Sequence, residues 1–219
     1  MATYLITGAN RGIGFEISRI LVDRGDKVIA ACRSASPQLL GLGVEVMEHV
    51  DVSQPDSIKA MATRLDGRHI DVLINNAGIL SREPLSDLDL SRIQSQFEVN
   101  TLGPLLVSQA LLPNLGAGSK LIIITSRMGS VEDNTSGGMY GYRISKAGVN
   151  MVGKSLAEDL RDQGIAVRLL HPGMVATEMT GGNGIPPQES ASSLIARIDE
   201  LSIDVTGEFW HANGERLPW

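Results

Sequence analysis

Tyr142 and Lys146 stand four residues apart in "YRISK". On a helix that spacing puts both on one face, about one turn from each other. A free tyrosine, with a pKa of about 10, exchanges protons poorly at neutral pH. A cation about 5 Å away, at an effective dielectric of about 20, favours the phenolate by ~3 kcal/mol, or about two pK units. The pair is therefore suited to pass a proton to or from a carbonyl or alcohol oxygen during hydride transfer. Ser126 closes the apolar run "LIIITS", and a serine hydroxyl is a group that can donate to such an oxygen. Tyr140 lies six residues before Lys146. That is about 240° round a helix, so it cannot share the Lys146 face and is expected at the cleft edge.

The same stretch carries a second motif. "GVNMVGKS", Gly148 to Ser155, matches the phosphate-binding loop of nucleotide hydrolases. Such a loop must follow a buried strand and open a helix. No strand precedes Gly148, and Ile144, Ala147, Met151, Leu156 and Leu160 keep helical spacing through it. The segment predicts a continuing helix whose glycines permit close packing, within the chain or across a subunit boundary.

A better phosphate site lies upstream. "TYLITGANRGIGFEI" sets Gly8, Gly12 and Gly14 between an apolar run and a helical segment. Glycines let the backbone turn sharply and approach a pyrophosphate, and the helix N-terminus offers free N–H groups and a positive dipole end. NAD-binding folds carry an acid about 20 residues further on, for the ribose 2′-hydroxyl. Here "VIAACRSAS" has Cys32 at that place, followed by Arg33. An arginine pairs with a 2′-phosphate and a carboxylate repels it, so Arg33, with Arg11 as a second cation, predicts NADP(H) over NAD(H).

These groups need a scaffold. Short apolar runs recur at Tyr4–Thr7, Val28–Ala31, Val44–Val50, Val72–Ile74, Leu121–Thr125, Val167–Leu170 and Glu208–His211. Continuously hydrophobic runs read as strands buried on both faces of a parallel sheet. Helical spacing fills Ile13–Asp23, Ser53–Leu65, Leu88–Leu115, Met139–Gln163 and Ser190–Leu201, with Ser53 as a cap residue. The alternation predicts a doubly wound α/β sheet and one domain spanning residues 1–219. Thr180–Gln188 is the most loop-like segment.

Composition narrows the function. The 219 residues are 42% hydrophobic and carry a formal net charge of −6. An acidic chain argues against a nucleic-acid partner. A single cysteine, Cys32, rules out an intrachain disulfide and fits a reducing compartment. No secretory pattern opens the sequence and no apolar run reaches about 20 residues, so no membrane partner and a cytoplasmic location are expected. The histidines His49, His69, His171 and His211 fall at separate strand ends or turns without metal-ligand spacing, and no metal is expected. No G-x-S-x-G elbow is present for a hydrolase.

Taken in order, these motifs resemble the short-chain dehydrogenase/reductase family, single-domain type, over nearly the whole chain. "TGANRGIG" is similar to its glycine motif, Asp51 in "HVDVS" to its adenine-side acid, and Asn75 to Gly78 to its "NNAG". Asn100 in "FEVNTLGP" matches its helix-four asparagine, Ser126 its serine, Tyr142 and Lys146 its Y-x-x-x-K, and Pro172-Gly173 with Thr177 its "PG" segment. "DNTSGG" before "YGYRISK" looks most like the C-factor-like and sniffer-type carbonyl reductase branches. The resemblance implies a Rossmann-type, mostly parallel seven-stranded sheet. It implies Ser126, Tyr142, Lys146 and Asn100 as catalytic residues, with Asn100 holding a water linked to Lys146 and kinking its helix, and Lys146 also holding the cofactor ribose. It implies a cofactor cradle of Gly8, Asn10, Arg11, Gly12, Ile13, Gly14, Arg33, Asp51, Val52, Asn76, Ala77, Gly78, Pro172, Gly173, Val175 and Thr177, with Tyr142 and Lys146. The implied activity is NADP-dependent reduction of an aldehyde or ketone, or oxidation of an alcohol. A dinucleotide-binding signalling protein with little turnover is the alternative. Relatives pair into homodimers or homotetramers through the helices matching Leu88–Leu115 and Met139–Gln163, and some stay monomeric.

Two departures stand out. Fifteen residues separate Ser126 from Tyr142, against about a dozen in the family, which would suit Ser130 slightly better. Ser126 is preferred because it ends a strand and precedes Gly129 in an S-x-x-G arrangement, leaving "VEDNTSGG" as a small insertion. The segment after the sixth strand is also short, which predicts an open substrate site.

Overall fold

A computed structural model describes residues 1–219. Seven strands form one sheet: β1 (Thr3–Thr7), β2 (Lys27–Ala31), β3 (Glu45–Met47), β4 (Val72–Asn75), β5 (Lys120–Ile124), β6 (Ala166–His171) and β7 (Glu208–His211). The spatial order is β3-β2-β1-β4-β5-β6-β7, and every neighbouring pair is parallel. Strand order reverses between β1 and β4, so a crevice opens there at the carboxyl edge of the sheet.

The helices are α1 (Gly12–Asp23), α2 (Pro37–Gly41), α3 (Pro55–Arg64), α4 (Leu90–Phe97), α5 (Gly103–Leu111), α6 (Tyr140–Asp159) and α7 (Pro187–Asp199). They cover both faces. Ile17 and Leu21 of α1 pack with Leu194 and Ile198 of α7 against Tyr4, Ile6 and Ile74. Ile58 and Met61 of α3, Val107 and Leu111 of α5, and Val149 and Leu156 of α6 cover Leu5, Leu73 and Leu121 on the other side. Because successive strand residues alternate between these two cores, both faces had to be apolar.

Three sequence expectations need correction. The single helix over 88–115 is broken into α4, a π-helical turn over Glu98–Leu102, α5 and a 3-10 turn over Leu112–Asn114. Pro104 lacks the backbone donor that an uninterrupted helix would need, and Gly103 packs so closely on Val52 that a Cβ would lie 3.0 Å from its side chain. The third strand shrinks to Glu45–Met47, since His49 adopts a left-handed φ of 65°. Ser53 does not cap α3: Gln54 occupies the cap position without a side-chain bond, while the Ser53 hydroxyl donates to Asp51 Oδ1 at 2.7 Å.

Gly148 and Gly153 lie within the continuous α6, with no strand before them. A Cβ on Gly148 would come 3.0 Å from Thr101, and one on Gly153 would come 2.8 Å from Leu169. Close packing at these glycines is thus found inside the chain.

Candidate functional site

The glycine turn is braced from below. Gly8 and Gly12 take φ values of +66° and +56°, which favour glycine. A Cβ on Gly14 would sit 2.5 Å from both the Gly8 carbonyl oxygen and the Asn76 amide. Asn76 Nδ2 donates to the carbonyls of Thr7 and Gly8 at 3.0 and 3.1 Å. The backbone N–H groups of Asn76 and Ala77 both donate to Thr7 Oγ1 at 3.1 Å. The Asn76 side chain is thus spent on holding the turn. Arg11 occupies the N-cap of α1 without a side-chain bond to the helix, so no side chain caps the N–H groups of its first turn. That uncapped N-terminus beside a glycine turn fits the pyrophosphate of a dinucleotide.

The remaining residues expected in the cradle line the same edge. Arg33 is exposed just past β2, and the Asn10 carbonyl accepts from Ser36 Oγ at 2.7 Å. Asp51 and buried Val52 follow β3. Ile13 is half-buried. Across the crevice, Pro172 and Gly173 leave β6, and buried Val175 makes a strand-like bridge with Ile185. Thr177 meets the glycine turn: a Cβ on Gly12 would lie 3.3 Å from its Cγ2.

Ser126, Tyr142 and Lys146 converge beside this edge, all buried. Ser126 caps the 3-10 turn Arg127–Gly129, its Oγ accepting from the Met128 N–H at 3.1 Å. Gly129 in that turn presses on α6 so tightly that a Cβ would lie 2.6 Å from the Lys146 carbonyl carbon. Lys146 Nζ lies 5.7 Å from the Tyr142 ring centroid and donates to the Ile124 carbonyl at 3.0 Å. Ser126 stands near enough to Tyr142 to draw the pKa of its hydroxyl down, whereas the Ser130 hydroxyl accepts from the Asp133 N–H at 3.0 Å. The structure therefore unites Ser126, not Ser130, with the tyrosine. Tyr140 is half-buried at the start of α6.

The electrostatics differ from the sequence expectation. Burial pushes the Tyr142 hydroxyl up to about 12, with Ser126 opposing it, and burial pushes Lys146 down to about 8. Desolvation is the largest influence on both groups, and it disfavours the charged form of each.

Asn100 sits in the π turn, where its Oδ1 accepts from the Ile79 N–H at 2.9 Å. Its Nδ2 donates to the Ile79 carbonyl at 2.9 Å and to Ser145 Oγ at 3.0 Å. A Cβ on Gly78 would come 3.2 Å from Asn100 Oδ1 and 3.8 Å from Lys146 Nζ, so "NNAG", Asn100 and the lysine form one cluster.

Several neighbours escaped sequence reasoning. Gln96, fully buried one turn before Asn100, accepts from the Ser81 N–H at 3.0 Å and donates to the buried Glu83 carboxylate. A Cβ on Gly141, next to Tyr142, would overlap the Gln96 amide and lie 3.1 Å from Ile93 Cα. Thr101 Oγ1 donates to the Ser145 carbonyl at 2.7 Å. That last bond ties the first turns of α6 to the π-helical turn. His171 and His211, which the sequence scatters, stack edge to face with centroids 4.8 Å apart. Burial pushes His171 down to about 3, so its ring is neutral at physiological pH. The periodicity shows that α4 and α6 are helices, but only the fold shows which polar residues turn inward.

A parallel sheet reversing at a glycine turn, with a buried Tyr–Lys pair and a serine at its carboxyl edge, is the architecture of a dinucleotide-using oxidoreductase. The short chain dehydrogenase profile matches residues 2–185, and the chain belongs to that family. It is 45% identical over 226 residues to 1-hydroxy-2-glutathionyl-2-methyl-3-butene dehydrogenase of Rhodococcus sp. (strain AD45), covering 100% of both chains. It is 42% identical over 166 residues to the C-signal of Myxococcus xanthus, covering 74% of this chain and 100% of the other. Among solved structures it is similar to an NADPH-bound carbonyl reductase from chicken fatty liver, with 31% identity, a TM-score of 0.91 and coverage of 100% and 99%. No helix is long and apolar enough to cross a membrane.

Proposed function

We propose that the protein is an NADP-dependent carbonyl reductase, reversible as an alcohol dehydrogenase, acting in the cytoplasm. Residues 1–219 serve as one dinucleotide-binding unit with the substrate site built in. The observation that carries this reading is the burial of Ser126, Tyr142 and Lys146 together at the carboxyl edge of the sheet, opposite the glycine turn.

The glycine turn and the N-terminus of α1 would hold the pyrophosphate, Arg33 and Arg11 the 2′-phosphate, and Asp51 with Val52 the adenine end. Bound there, the reduced nicotinamide supplies the hydride. The Ser126 hydroxyl donates a hydrogen bond to the substrate carbonyl oxygen and orients it. Tyr142 gives its phenolic proton to that oxygen as negative charge develops. With its pKa pushed up to about 12, Tyr142 is protonated at neutral pH and ready for reduction. Oxidation needs the phenolate, so it should gain rate as pH rises. Lys146, at about 8, is still mostly protonated at pH 7 and can hold a ribose hydroxyl. Asn100 keeps the Ile79 backbone and Ser145 in register around the lysine.

The test is oxidation of NADPH against NADH across aldehydes, ketones and quinones, with a glutathione-conjugated alcohol for the reverse direction. That alcohol is chosen for the likeness to the Rhodococcus dehydrogenase. Faster turnover with NADPH on any member supports the reading. Preference for NADH would overturn the cofactor assignment. The likeness to the C-signal favours a second reading, a dinucleotide-binding regulatory protein with little turnover. NADPH binding without oxidation by any member of the panel would favour it.

A further inference from the structure

Arg11 and Glu178 are 167 residues apart in sequence and form an ion pair across the mouth of the crevice. Their side chains are 65% and 77% exposed, so burial does not hold them together. The backbone does. Arg11 is the N-cap of α1, and the next residue, Gly12, lies against Thr177, the residue before Glu178. The short segment bearing Glu178 is also stiff. The Thr177 N–H donates to Thr180 Oγ1 at 3.1 Å, the Thr180 N–H donates to the Thr177 carbonyl at 3.2 Å, and Thr180 Oγ1 donates to the Val175 carbonyl at 2.6 Å. The Gly182 N–H donates to the Thr177 carbonyl at 2.9 Å, and the Ala176 N–H donates to the Ile185 carbonyl at 2.9 Å. Glu178 is thus presented to Arg11 from a fixed loop.

The two cations assigned to a 2′-phosphate are therefore unequal. Arg33, exposed past β2, takes part in no ion pair. Arg11 already has a carboxylate. A dinucleotide bearing a 2′-phosphate must draw Arg11 away from Glu178 or share it, while one bearing only a 2′-hydroxyl leaves the pair intact. We propose that Glu178 is a cofactor-specificity residue. Its carboxylate competes with the 2′-phosphate of NADP for Arg11, and it keeps the affinities for NADP and NAD closer together than Arg11 and Arg33 alone would. The inference rests on the reading that Arg11 receives the 2′-phosphate.

Dissociation constants of NADPH and NADH, measured by calorimetry on the uncomplexed protein, test it in the wild type, Glu178→Gln, Arg11→Gln and the double variant. Glu178→Gln should tighten NADPH about 2–5-fold, the range an exposed ion pair commands, and leave NADH unchanged. The gain should disappear in the Arg11→Gln background and shrink at high salt. Equal tightening of both dinucleotides would mean that Glu178 merely repels any pyrophosphate, and would overturn the proposal. So would a gain that survives without Arg11. If Arg11→Gln weakens NADPH alone while Glu178→Gln changes neither affinity, the NADP reading stands and the competition is refuted. If Arg11→Gln weakens both dinucleotides equally, the assignment of Arg11 and this inference fall together.

Discussion

Replacing Lys146 by methionine should abolish turnover and make the folded protein more stable near neutral pH. The ammonium is buried, and burial holds its pKa near 8, against 10.5 for an unburied lysine. The unfolded chain therefore binds this proton more tightly than the folded one. The penalty is fully present below about pH 8 and fades as pH rises toward the unfolded value. A difference of about 2.5 pK units corresponds to about 3 kcal/mol. Methionine removes that penalty and fills a similar volume, but it leaves the Ile124 carbonyl without the donor that Lys146 supplied at 3.0 Å. Losing that bond costs about 1 kcal/mol. The variant should thus be about 2 kcal/mol more stable at pH 7, or about 4–8 °C higher in Tm for a chain of this size. Urea melts of the uncomplexed wild type and variant at pH 7 and pH 10 measure it. The advantage should fall by roughly 2 kcal/mol between those pH values, because the wild type sheds its penalty. Burial also shifts Tyr4, Cys32 and Lys120, but their contributions are common to both proteins and cancel in the comparison. A difference independent of pH, or a variant less stable at pH 7, would refute the reasoning.

Ser126→Ala removes the hydroxyl that orients the substrate oxygen; kcat should fall about 10²–10³-fold with little change in NADPH affinity, as steady-state kinetics and calorimetry would show. Gly141→Ala drives a methyl into the Gln96 amide and toward Ile93 Cα, so chemical melts should show a loss of about 1–3 kcal/mol, and kcat should fall with it because Tyr142 is the next residue. Lys154→Ala should leave carbonyl reduction and dinucleotide affinity unchanged, since Lys154 is a half-exposed partner of Glu158; loss of a nucleotide-hydrolysing activity in this variant would revive the phosphate-loop reading.

The strands were legible because a parallel sheet covered on both faces leaves continuous apolar runs such as "LIII" and "VLI", which periodicity detects directly. The glycine turn and the Tyr–Lys spacing were legible because backbone geometry restricts what can stand there. The break in the helix at Asn100 was not readable from spacing, because it depends on Ile79 and Ser145, which the fold brings in from 21 and 45 residues away. The buried Gln96 and Glu83 look like surface residues in the sequence, since a polar side chain does not announce its partners. The pairing of Arg11 with Glu178 spans most of the chain and has no local signature. The raised Tyr142 pKa was not legible for a similar reason. Helical spacing gives the distance to Lys146, but only the packed structure gives the desolvation that opposes it.

The central claim is that Tyr142 supplies the proton as hydride reaches the carbonyl. The most direct test is a single-turnover measurement with Tyr142→Phe, following NADPH fluorescence after mixing with an accepted carbonyl substrate. The account predicts NADPH affinity within about 2-fold of wild type and hydride transfer slowed by about 10²–10⁴-fold. Transfer at a near-wild-type rate in this variant would contradict it.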